Sequence, residues 1–171
     1  MKLIRKQVLD MFKAMESLVF GYLSETAVVT ALSNYNAVRK EVLSYQQLSA
    51  ELRKRIYANV DKDKLKEFFD IAILFEQEKE ADLREGLKQR MMSEYPDLFE
   101  LYLKHININI SILNKEIELD IELMDKDEFI KGIILGNKEV LAEDLNRVLE
   151  PLFIKDGESN PDFAELDEYF E

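Results

Sequence analysis

Glu116, Glu118, Asp120 and Glu122 alternate with Ile117, Leu119 and Ile121, a spacing that would set four carboxylates on one side of an extended strand. Alternate strand residues share a face and stand about 6.7 Å apart at a rise of about 3.4 Å per residue. The four acids would thus form a ladder of negative charge, extended by Asp125, Asp127 and Glu128. Such a ladder can occupy a cleft that normally takes a phosphate backbone, offering guanidinium and ammonium groups charge-assisted contacts. The alternative is the wet face of an antiparallel sheet, where like charges discourage edge aggregation. Metal-dependent nucleases also place carboxylates on strands, commonly with a lysine two residues beyond an acid. Glu122 and Met124 stand two residues beyond Asp120 and Glu122, so the chain is read as non-enzymatic.

Other chemistry finds less support. His105 is the single histidine and falls at the expected helix-to-strand junction, where sequence spacing does not supply the orienting carboxylate and nucleophile that a catalytic imidazole needs, so it is assigned no role. Glu76 and Glu80 would share a helix face, but no Glu-x-x-His pair accompanies them as a dimetal site requires. Asp61-Lys62-Asp63 opens like a calcium loop, yet Lys66 and Ala72 occupy the positions of its glycine and terminal glutamate. The closest glycines, Gly132 and Gly136, match no phosphate-binding or dinucleotide-binding turn. No cysteine is present, so there is no disulfide, thiolate nucleophile or sulfur metal site. No cofactor and no metal are expected.

The charge is unevenly distributed. Residues 1–115 hold 18 Lys/Arg against 17 Asp/Glu and residues 116–171 hold 5 against 18, so the net charge of −12 divides into +1 and −13. The acidic part favours a basic protein partner and disfavours direct contact with nucleic acid or anionic lipid. A basic group, Arg53, Lys54, Arg55, Lys62, Lys64 and Lys66, is interspersed with Glu51, Asp61, Asp63 and Glu67 and reads as a solubilising helix end. Arg5, Lys6, Asp10, Lys13 and Glu16 interrupt the apolar residues of 1–20, so neither a signal-peptide core nor a membrane span of about 20 residues is expected there. A cytoplasmic location follows as the expectation.

These residues need elements to hold them. Apolar spacing of three to four predicts a first helix from Leu3 to Gly21. A second, capped by Ser24, carries the stripe Val28, Leu32, Tyr35, Val42, Tyr45, Leu48, Leu52, Ile56 and Val60. A third runs from beyond Asp61 to the Tyr95-Pro96 step. The second and third would form a long antiparallel hairpin with the first packed across it. A short helix follows over 97–104. Ile106, Ile108, Ile110 and Ile112 then alternate with polar residues, and this run and Ile117–Leu123 flank Leu113-Asn114-Lys115, which predicts a β-hairpin. Asp125 would cap a helix through Leu135, and another would end near Glu150-Pro151. The fold class is α+β, predominantly α. Its expected divisions are a helical body over 1–104, the hairpin and C-terminal helices over 105–153, and an acidic flexible tail over 154–171.

The opening Met1-Lys2-Leu3-Ile4-Arg5-Lys6-Gln7-Val8-Leu9, the middle Glu51-Leu52-Arg53-Lys54, and Lys115-Glu116-Ile117-Glu118-Leu119-Asp120-Ile121 resemble small phage and prophage proteins of unknown function. Those proteins carry an N-terminal helix, a Lys/Glu-rich helical middle, a charged alternating strand and a closing helix, and the resemblance covers residues 1–152. It implies a phage accessory or virion-associated protein in the host cytoplasm and carries over no functional residues. In type the chain also resembles acidic inhibitors of host defence, anti-CRISPR proteins among them. The expectation is therefore a protein that binds and inhibits a basic, nucleic-acid-binding host defence effector through Glu116, Glu118, Asp120, Glu122, Asp125, Asp127 and Glu128. The alternative is a virion or assembly component acting as a homo-oligomer.

Overall fold

The computed structural model describes residues 1–136 and 149–153, without the side chains of Asp127 and Leu135. The elements, in order, are β1 (Lys2–Ile4), α1 (Arg5–Glu16), α2 (Glu25–Ile56), α3 (Lys62–Gln77), α4 (Ala81–Glu94), α5 (Pro96–Leu113), β2 (Glu116–Glu118), α6 (Lys126–Gly136) and a 3-10 turn at Glu150–Leu152. The protein is predominantly α, with a small antiparallel sheet of β1 and β2. The chain divides into two compact units, one formed by residues 1–46 with the described residues from Leu113 onward, the other by 47–112. The boundary expected at 104/105 instead falls inside α5.

In the first unit β1 and β2 pair in the register Lys2 with Glu118, Leu3 with Ile117 and Ile4 with Glu116. The Leu119 N–H donates to the Met1 carbonyl at 2.8 Å, the Arg5 N–H to the Lys115 carbonyl at 3.0 Å, and the Met1 nitrogen to the Leu119 carbonyl at 2.7 Å. Two-stranded sheets are marginal in water, and this one lies on a core of Val8, Met11 and Met15 from α1, Ala31 and Val38 from α2, Phe129 and Ile133 from α6, and Leu119. Phe129 lies between Phe20 and Phe153, at centroid distances of 6.4 and 5.2 Å. The Ser24 side chain accepts from the Ala27 N–H at 3.3 Å, and Asp125 Oδ1 accepts from the Glu128 N–H at 2.8 Å; both are the caps expected.

In the second unit Asp61 caps α3 by accepting from the Asp63 and Lys64 N–H groups. Phe68, Ile71 and Ala72 of α3 pack with Met91 of α4 and with Leu98 and Tyr102 of α5. Aromatic edges close the centre: Phe68 meets Tyr102 at 5.6 Å and Tyr95 at 6.0 Å.

Four expectations are corrected. Residues 105–113 are helical, so there is no β-hairpin across Asn114; β2 takes its partner from the start of the chain. The reason is packing: Tyr102 is buried and His105, Ile106, Asn109, Ile112 and Leu113 are half-buried, a helical stripe that the alternation of isoleucines hides. A difference in intrinsic propensity of tenths of a kcal/mol per residue cannot resist that burial. The expected third helix breaks at Glu78–Glu80, where Glu78 Oε1 accepts from the N–H groups of Lys79 and Glu80, so the antiparallel packing lies between α3 and α4 and not along a second long helix. The first helix starts at Arg5, after β1, and ends at Glu16 with Ser17, not Gly21, in the cap position. The buried face of α2 is Ala31, Asn34, Val38 and Val42; of the expected stripe Val42 is buried and Val28 and Tyr35 pack half-buried against the core, whereas Leu32 and Leu48 are exposed. Residues 137–148, which would carry the helix expected to end near Glu150-Pro151, and the tail from 154 lie outside the described residues.

Candidate functional site

The acids after α5 stand where an extended chain puts them. Glu116, Glu118, Asp120 and Glu122 are exposed, Ile117 and Ile121 are half-buried and Leu119 is buried, so the period-two alternation continues past the short strand. Hydrophobic attraction of the odd positions into the core is what turns the even ones to solvent. Lys2 Nζ lies 3.5 Å from Glu116 Oε1 with both side chains well exposed, a pair that contributes little in water. Among the described residues no ion pair involves Glu118, Asp120 or Glu122. Asp125 is committed to capping α6, Glu128 is exposed on that helix, and the Asp127 side chain lies outside the described residues.

The edge of β2 that faces away from β1 is the structural feature the sequence did not reveal. Lys115 and Leu119 direct their backbone groups to β1; by alternation Glu116, Glu118 and Asp120 direct theirs the other way. At Glu122 that outer edge meets α2. The Asn34 carboxamide, fully buried, accepts from the Glu122 N–H at 2.9 Å and donates to the Glu122 carbonyl at 2.8 Å. Asn34 therefore fills the place of a neighbouring strand residue for one pair of bonds. Before it, a groove of about 620 Å³ separates Glu118, Leu119 and Asp120 from Ser33, Asn36, Ala37, Lys40, Glu41 and Ser44 of α2. Glu41 is held by Arg5, whose Nε donates to Glu41 Oε1 at 2.7 Å with the Arg5 side chain largely buried. An Asn inside an otherwise apolar helical stripe was the available signal in the sequence; the serines and Lys40 of the groove wall left none.

The remaining candidates lie in the second unit. His105 lies within α5, not at a helix-to-strand junction; its Nδ1 is 3.4 Å from the Tyr57 hydroxyl and its ring meets the Tyr57 ring edge-on at 5.6 Å. Burial, and then the Arg53 guanidinium, hold the imidazole below its ordinary pKa. Burial also pushes the Tyr57 phenol up to about 12. Glu76 Oε1 accepts from the Tyr102 hydroxyl at 2.7 Å, and because α3 ends at Gln77 Glu76 and Glu80 share no helix face. Arg53 of the basic group sits over the Phe69 ring at 4.5 Å. A trough of about 630 Å³ between α3 and α4 is lined by Leu74, Leu83 and Leu87 with Glu78, Asp82 and Arg90 at its sides. Among the described residues no three His, Asp or Glu side chains gather to hold a metal ion, and no described helix is long and apolar enough to cross a membrane. Comparison of the chain with protein-family models, with curated proteins and with solved structures finds no match.

Proposed function

We propose that this protein is a non-enzymatic acidic interaction protein that binds, and by binding inhibits, a basic protein. The observation that supports this reading is the run Glu116, Glu118, Asp120 and Glu122, exposed in succession above a core that fixes their backbone. Carboxylates presented on a supported strand bind cations with less ordering cost than acids on a free coil. The resemblance to phage proteins makes a nucleic-acid-binding defence effector of the host the target class to try first. Changing the four acids to Gln tests it: wild type should retain a basic nucleic-acid-binding protein from host lysate, with retention falling steeply as salt rises, and the variant should not. Equal retention by both would overturn the reading.

A second reading is self-association as an assembly component, favoured by Val29, Leu32 and Leu43, which are 63%, 46% and 49% exposed and fall on one side of α2 at helical spacing. It requires a homo-oligomer whose mass by light scattering is unchanged by the Gln substitutions.

A further inference from the structure

We propose that the outer edge of β2 is a docking site for an extended, lysine- or arginine-bearing segment of the partner, which adds as a third strand in the groove between β2 and α2. This rests on the basic-partner reading above and specifies how such a partner is held. Three features converge. The backbone groups of Glu116, Glu118 and Asp120 that point away from β1 have no hydrogen-bond partner among the described residues, and an open strand edge is a template for pairing with another chain. Asn34 already makes the pair of bonds such a strand would make, two residues beyond Asp120, so the edge is in pairing geometry and its end is closed. The groove starts where Asn34 stops, with about 620 Å³ available beside Glu118 and Asp120.

Charge complementarity selects the occupant. On an added strand the residues opposite Glu116, Glu118 and Asp120 share their solvent face, and opposite charges across neighbouring strands stabilise pairing while like charges oppose it. An acidic segment is thereby excluded. The alternate residues of the added strand turn inward beside Leu119 and Ala37, where small apolar side chains fit. The recognised sequence thus alternates basic with small apolar residues over about five positions, roughly 17 Å at about 3.4 Å each. Among the described residues Lys40 is the one cation lining the groove, and it repels such a segment.

A fluorescent nonapeptide alternating Lys and Val, titrated into the full chain, tests this. Methylating the lysine backbone nitrogens leaves its charge intact and removes the donors that would face β2; affinity should fall at least about tenfold. Asn36→Trp, on the exposed wall of α2, should weaken binding similarly by filling the groove, whereas Lys40→Gln should tighten it severalfold. In the complex, hydrogen exchange of the Glu118 N–H should slow. Circular dichroism of each variant confirms that it is folded. If both peptides bind equally and Asn36→Trp changes nothing, while Glu118→Gln with Asp120→Asn still weakens binding, the acids attract a basic chain without strand addition: this inference is overturned and the broader reading stands. Absence of peptide binding to every folded variant at moderate salt overturns the docking mode too, leaving the broader reading to the lysate experiment.

Discussion

Asn34 illustrates how one side chain can decide what a surface is available for. A carboxamide carries both an acceptor and donors, and here both are spent on the backbone of Glu122 at 2.9 and 2.8 Å in a fully buried position. Leaving the N–H and carbonyl of Glu122 without partners in such a place costs about 1–3 kcal/mol each. Asn34→Ala should therefore destabilise the protein by about 2–4 kcal/mol in denaturant titration, with the Glu122 amide losing its exchange protection. Unchanged stability would mean that water replaces the carboxamide. An ordinary apolar stripe would have had a valine or leucine at this position, which is why the Asn is more than a poor helix former.

At the scale of elements, close approach accounts for one glycine in particular. A Cβ on Gly132 of α6 would meet Leu23, with Leu23 Cγ at 3.1 Å and its Cα at 3.2 Å, and since the second of these is backbone the neighbour cannot simply rotate aside. Gly132→Ala should cost about 1–3 kcal/mol despite the better helix propensity of alanine; a gain in melting temperature would refute the contact. The element least legible from residue order was α5. Its isoleucines alternate as in a strand, and both periods can be read into 105–113. The helix prevails because its stripe continues the buried face of Leu98 and Tyr102, so burial gained over the whole element outweighs the local preference of β-branched residues.

Across the whole molecule, charge and titration set how the protein responds to its surroundings. The −13 carried beyond residue 115 makes association with a cation sensitive to salt. Stability should respond to pH through His105, the one histidine of the chain. Its imidazole is held below the ordinary value of 6.5 by burial and by Arg53. The unfolded chain therefore takes up the proton first as pH falls, so the full contribution is present above about pH 6.5 and is lost on acidification through the folded-state pKa. Midpoints of denaturant unfolding should fall between pH 7 and 5.5, and His105→Asn should flatten that slope; a parallel slope in the variant would assign it to the carboxylates.

Residue order by itself determined the helical class, the caps Ser24 and Asp125, and the alternation that exposes Glu116, Glu118, Asp120 and Glu122, because each depends on hydrogen bonds or periodicity within a few residues. Only the tertiary structure decided that β2 pairs with Lys2–Ile4 across more than a hundred residues, that the third helix breaks at Glu78–Glu80 and turns α4 back on α3, and that Asn34 closes one end of a strand edge otherwise unpaired among the described residues. Strand pairing and groove walls are contacts between distant segments. Their energies come from shared burial and from satisfying backbone groups wherever the folded chain brings them together, and local spacing carries no record of that choice.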